Sequence, residues 1–139
     1  MEIEKNKQLV KRYLELWNTG DPAIAAEILA PDYVDHTHPN KDPGSESMRQ
    51  EAASFRAAFP DARITIEQMI GEEDTIAFRF VLHATHQGQF GPFPPTGKEV
   101  VLTGMDFVRV ADGKLVELWS SQDTLSWVQQ LGGKIQWPV

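Results

Sequence analysis

The chain contains no cysteine, which excludes disulfides, thiolate nucleophiles and cysteine-ligated zinc or iron–sulfur sites. It also has no apolar run near the roughly 18 residues that a spanning helix needs, so a membrane role is not expected. Cationic residues are scarce: 13 Lys and Arg stand against 20 Asp and Glu, a formal net charge of -7. Phosphate backbones and anionic bilayers would repel such a surface, so nucleic acid and membrane are not expected partners. A glycine-rich phosphate loop, a nucleophile elbow and a dinucleotide fingerprint are all missing, and no cofactor is expected. Met1-Glu2-Ile3-Glu4-Lys5-Asn6 is charged where a secretory signal would be apolar, so the expected location is cytoplasmic. What remains is a chain of 139 residues, 41% hydrophobic and 24% charged, enough for one domain over 1–139 with its own core.

The apolar period changes midway. Ile3, Val10, Tyr13, Leu14 and Trp17 recur at helical spacing and predict a helix over 3–18, stopped by Gly20. Asp21-Pro22 starts a second, short helix with Ile24, Ala25, Ile28 and Leu29 inward, ended by Pro31. Met48, Ala52, Phe55 and Phe59 share a face of a third helix that begins near Ser45 and breaks at Pro60. The polar stretch Tyr33–Asn40 reads as a brief strand and a loop. Beyond it, Ile64 and Ile66, then Ile76, Phe78, Phe80 and Leu82, alternate with polar or small residues as strands do. Two further strands, Lys98–Val110 and Lys114–Asp123, meet at Asp112-Gly113, a strong hairpin signal. A final helical stretch, Thr124–Leu131, precedes Gly132-Gly133. Helices followed by an antiparallel meander imply an α+β fold, with helices on one face of a curved sheet.

A two-residue turn at Asp112-Gly113 sets Ala111 opposite Lys114, and an unbroken ladder from there sets Asp106 opposite Trp119, Val108 opposite Glu117 and Leu102 opposite Asp123. That register collects three carboxylates and a tryptophan among aliphatic side chains. Desolvation there would raise a carboxylate's pKa toward the range useful for acid or base chemistry, unless Glu117 and Asp123 are solvated and Asp106 is paired with Arg79 or Arg109. The other face carries Val101, Met105 and Phe107. With apolar residues on both faces and helices for only one, a second subunit is the expected cover for the other, giving a homodimer.

His36 and His38 beside Asp35, and His83 with His86, raise the question of a metal. Positions three apart on a strand point to opposite faces, however, and no ligand spacing motif is present, so no metal site is expected. His86 shares its face with Ile76, Phe78, Phe80 and Leu82, where a hydrogen-bonded core histidine is the plain reading. Gln87–Gly97 is longer than a hairpin loop, and Phe90 and Phe93 among its prolines suggest a semi-rigid flap or a wide connection tucked on the core.

A set of motifs runs along the chain in order: Tyr33-x-Asp35-His36, Phe55-Arg56-x-Ala58-Phe59-Pro60-Asp61, His86-x-Gly88-x-Phe90, Pro94-Pro95-Thr96-Gly97-Lys98, Gly104-x-Asp106-x-x-Arg109, Asp112-Gly113-Lys114-x-x-Glu117-x-Trp119-x-x-x-Asp123 and Gln130-Leu131-Gly132. Together they resemble the SnoaL-like polyketide cyclase (ester cyclase) family. The resemblance implies a nuclear-transport-factor-two-like cone, a curved antiparallel sheet wrapped around N-terminal helices with an apolar pocket, commonly dimeric. It also implies cofactor-free aldol closure of a polyketide ester, an apolar small molecule, with an aspartate as acid/base. Asp123 is the first position for that aspartate and Asp106 the second. His36 and His86 would polarise a carbonyl oxygen, Trp119 and Phe93 would be walls, and Glu117, Phe90 and Tyr33 would complete the substrate-binding set. The same architecture also hosts isomerisation, hydrolysis and plain binding of a hydrophobic ligand, so the reaction is not fixed by the fold.

Overall fold

The computed structural model describes residues 2–37 and 43–138. The element order is α1 (Glu2–Thr19), α2 (Pro22–Ile28), β1 (Leu29–Asp35), α3 (Ser45–Ala58), β2 (Arg63–Glu72), β3 (Thr75–Thr85), β4 (Glu99–Ala111), β5 (Lys114–Gln122) and α4 (Thr124–Gln130). Helix α1 buries Val10, Tyr13, Leu14 and Leu16 along its apolar stripe. It ends where Gly20 takes a left-handed φ of 74° that few other residues tolerate. Asp21 caps α2 by accepting from the Ala23 amide at 3.0 Å, with Pro22 in the first turn.

The sheet has the order β1-β5-β4-β3-β2, and the last four strands form the antiparallel meander expected from the sequence. The first strand corrects a purely antiparallel reading. It pairs with β5 in parallel, because the chain crosses the sheet through α3 and the meander before β5 returns beside it. The resulting α+β sheet is curved and unclosed, with helices against its inner face. The inner residues are Ile76, Phe78, Phe80 and Leu82 on β3 and Val100, Leu102, Val108 and Val110 on β4, all buried. They pack into two clusters. One gathers α1, α2 and the middle of the sheet, and the other joins Phe55, Phe59, Leu102, Trp127 and Leu131 at the α4 end.

Asp112 and Gly113 form the hairpin turn with φ of 52° and 73°, as the dipeptide requires. The expected ladder holds only for its first pairs, Ala111 with Lys114 and Val110 with Leu115. Val116 then bulges, and from there Arg109 pairs with Glu117, Phe107 with Trp119 and Asp106 with Ser120. A one-residue slip exchanges the faces of a strand. Glu117 and Trp119 therefore leave the face that carries Asp106, and Ser120 and Gln122 take their place. Nothing in the composition of Lys114–Gln122 marks that bulge.

Candidate functional site

Inside the curve of the sheet lies a cavity of about 290 Å³. Its walls are aromatic: Tyr13 and Trp17 from α1, Phe55 from α3, Phe80 from β3, Phe90 from the 87–97 connection and Trp127 from α4. Edge-to-face contacts tie them together, Trp17 on Phe55 at 5.6 Å between centroids, Phe55 on Phe90 at 6.5 Å and Phe90 on Trp127 at 6.3 Å. Such offset geometries fix the walls beyond the gain from area alone. The polar groups lining it are Asp35, Glu51, Asp106, Ser120, Gln122 and Thr124.

Asp106 is the group that simple packing does not explain. It is 6% exposed, and its Oδ1 has no hydrogen-bond partner. Burial pushes its pKa from 3.8 up to about 6; hydrogen bonding from Ser120 works against that rise, and the charge of Asp35 adds to it. A carboxyl group in this state exchanges a proton near neutral pH, and its Oδ1 is buried without a partner. Tyr13 and Tyr33 are held protonated by burial first and then by neighbouring charge, with Asp106 among the contributors for both. The Tyr33 hydroxyl is buried without a partner as well. The cavity thus has an acid or base on its wall, whereas the unsatisfied phenol of Tyr33 is buried and is not among the cavity-lining residues.

The other positions singled out in the sequence fall into different places. Phe90 lines the cavity, whereas Phe93 packs against the second core cluster, bridged to Phe90 by reciprocal backbone hydrogen bonds of 2.9 Å. His86 is fully buried against Phe59, with ring centroids 5.3 Å apart, and is not among the cavity-lining residues. Its Nδ1 accepts from the Thr96 amide at 3.3 Å, so it anchors the return of the 87–97 connection. Asp123 is exposed and caps α4 by accepting from the Ser126 amide at 3.2 Å; its neighbours Gln122 and Thr124 line the cavity and it does not. Through the Val116 bulge, Glu117 and Trp119 lie on the outer face. There His36 stacks on Trp119 at 4.7 Å and approaches Glu117 at 3.4 Å, while Arg109 Nε donates to Glu117 at 2.5 Å and lowers its pKa. His38 lies outside the described residues. Among the described residues no cluster of three or more His, Asp or Glu could hold a metal.

Some cavity residues escaped the sequence reading. Glu51 sits three residues after Met48 and four before Phe55, on the apolar stripe of α3, and a carboxylate at that spacing is a signal. Asp35 stands in the Tyr33-x-Asp35-His36 motif, but nothing local marks it as buried, because its burial comes from the parallel pairing of β1 with β5.

The model of the SnoaL-like polyketide cyclase family matches residues 7–131. The chain belongs to that family. Among SnoaL-like proteins, it is 26% identical over 136 residues to aklanonic acid methyl ester cyclase DauD of Streptomyces sp. (strain C5), covering 94% of this chain and 83% of that protein. Its backbone superposes on AclR of Streptomyces galilaeus, a candidate hydroxylase, with a TM-score of 0.84 and 29% identity over 98% of this chain and 86% of that one. TsrD of Streptomyces laurentii gives 0.86 and 25% identity over 93% and 96%. The SnoaL-like motif residues therefore divide by task in this structure. Asp106 and Phe90 line the cavity, His86 and Asp123 fix the segments beside it, and Glu117, Trp119 and His36 form the outer-face cluster.

Proposed function

We propose that this protein closes a ring in a polyketide ester by acid/base catalysis, without a cofactor, with Asp106 as the proton-transferring group. The observation that carries this reading is a buried carboxylate with an unpartnered oxygen on the wall of an aromatic cavity. Its oxygen takes the proton α to a carbonyl, the resulting enolate carbon attacks a second carbonyl carbon of the same molecule, and the new alkoxide takes a proton back from the carboxyl group. Nothing is consumed and the group ends as it began. Apolar walls exclude water, which would quench the enolate.

The likeness to an aklanonic acid methyl ester cyclase supplies the probe. Wild-type protein should convert aklanonic acid methyl ester to a cyclised isomer of unchanged mass and altered chromatographic retention. Asp106→Asn should lose most of that activity. Asp123→Asn should keep it, since asparagine is as good a helix cap as aspartate. Activity that survives in Asp106→Asn and vanishes in Asp123→Asn would transfer the role to Asp123. Binding without conversion by the wild type would make the cavity that of a ligand-binding protein.

The outer face supports a homodimer in this reading. Met105, Phe107 and Trp119 are 61%, 55% and 42% exposed on neighbouring strands, with Val101 and Val34 beside them. A patch of this kind is costly in water, and the same face of a second copy covers it.

A further inference from the structure

The chain keeps its cations away from the aromatic cavity. Asp35, Glu51 and Asp106 line that cavity, and among the described residues no Lys or Arg does. A separate groove of about 580 Å³ adjoins it through Leu14 and Ile64, which line both spaces. Lys11, Leu14, Glu15 and Asn18 recur at intervals of three and four residues and give the groove one face of α1. Its opposite wall is β2, the outermost strand of the sheet, with Arg63, Ile64, Thr65 and Ile66. An outermost strand leaves backbone groups without a neighbouring strand. Asn18 stands in for one at Ile64, donating from Nδ2 to the carbonyl at 3.2 Å and accepting from the amide on Oδ1 at 2.7 Å. Helix and strand are thereby tied together, and the groove exists before any ligand arrives.

We propose that this groove is a second binding site, one that takes an organic carboxylate with a flat apolar body. The site is independent of the ring closure proposed above. Its apolar lining is Leu14 and Ala62, both buried, with the half-buried Ile64 and Ile66. Three cations border it: Lys11 from α1, Arg56 from α3 and Arg63 from β2. Among the described residues none of the three forms an ion pair. The Arg56 guanidinium is held by two carbonyls, Ala62 at 2.9 Å and Pro60, which fix its place without cancelling its charge. The two acids of the groove are engaged elsewhere. Arg12 donates to Glu15 at 2.6 Å, and Asp61 accepts from the Thr85 amide and hydroxyl at 2.8 and 2.7 Å. A chain of net charge -7 therefore gathers three unpaired cations around one apolar lining. A carboxylate gains charge-assisted hydrogen bonds from that rim, and a flat body removes the lining from water. The acid-lined cavity would repel the same anion.

The test is a titration of the full chain with sodium 2-naphthoate at pH 7 and low ionic strength, followed by ¹H–¹⁵N NMR. Saturable shifts should appear at the amides of Lys11, Asn18, Arg63 and Thr65. Two controls separate the parts of the ligand: 2-naphthamide keeps the body without the charge, and inorganic phosphate keeps a charge without the body. Each should bind at least about tenfold more weakly than naphthoate. Lys11 and Arg63 are exposed, so Lys11→Gln and Arg63→Gln should fold normally and should each weaken naphthoate binding about threefold to tenfold. Lys11→Arg should keep it, and Lys11→Glu combined with Arg63→Glu should abolish it. Equal binding of the amide would overturn the proposal by showing that the cations are idle, and equal binding of phosphate would do so by showing that the apolar lining is. Shifts confined to the cavity residues Trp17, Phe55 and Trp127, or affinity unchanged in both glutamine variants, would place naphthoate elsewhere and overturn it as well. Ester turnover enters none of these readouts, so failure of the cyclase reading leaves the groove standing and failure here leaves that reading untouched.

Discussion

Replacing Asp106 by asparagine should make the protein more stable above neutral pH. The carboxyl group is 6% exposed and its pKa rises from 3.8 to about 6 on folding, chiefly through desolvation. Between those values the folded state keeps a proton that the unfolded chain has released. Stability therefore falls as pH rises through that window, and the loss is complete above the folded pKa. A shift of this size corresponds to about 3 kcal/mol at pH 8, an upper bound because buried sites relax. Asparagine is nearly isosteric with the protonated acid and carries no charge at any pH. Urea denaturation of both proteins at pH 4.5 and pH 8 isolates the term, since every other group is common to the pair. The variant should gain about 1 kcal/mol at pH 4.5, where the unfolded carboxyl is already mostly ionised, and on the order of 2–3 kcal/mol at pH 8, or roughly 10 °C in Tm. An Asp106→Asn protein that is destabilised equally at both pH values would refute the reasoning and mean that the carboxylate is held by partners in the fold.

Further outcomes follow from single contacts. Asp123→Ala removes the cap on α4 and should cost about 1 kcal/mol in thermal denaturation, whereas Asp123→Asn should cost almost nothing. A Cβ at Gly104 would lie 2.7 Å from the Phe80 ring, a cavity wall, so Gly104→Ala should cost roughly 1–3 kcal/mol and weaken binding of aklanonic acid methyl ester in calorimetry. Phe107→Asp sets a charge in the exposed outer patch, where the side chain is 55% accessible. It should turn a dimer into a soluble monomer in analytical ultracentrifugation and leave the circular dichroism unchanged.

Much of the fold was legible because its signals are local. Apolar spacing located α1 and α3, Asp21-Pro22 marked the start of α2, and Asp112-Gly113 placed the hairpin. The site was harder for a definite reason. Assigning side chains to one face depends on an unbroken ladder, and the bulge at Val116 reverses that assignment for every residue beyond it. Asp106 belongs to β4, and its inward orientation agrees with its neighbours Val108 and Val110, so it was correctly placed among apolar residues. Glu117 and Trp119 lie past the bulge and were not. Asp123 looked like part of the same face because the strand seemed to continue to it, but the chain has already turned into α4 there and uses the carboxylate as a cap. Parallel pairing of β1 with β5 joins segments far apart in the chain, and no local pattern announces it.

The most direct test of the central claim is a crystal structure of the Asp106→Asn protein with aklanonic acid methyl ester. The account predicts the ester in the aromatic cavity, between Trp17, Phe55 and Trp127, with its enolisable carbon within roughly 3.5 Å of the side chain at position 106. An ester bound on the outer face beside His36 and Trp119, or one whose enolisable carbon lies against Asp123, would contradict it.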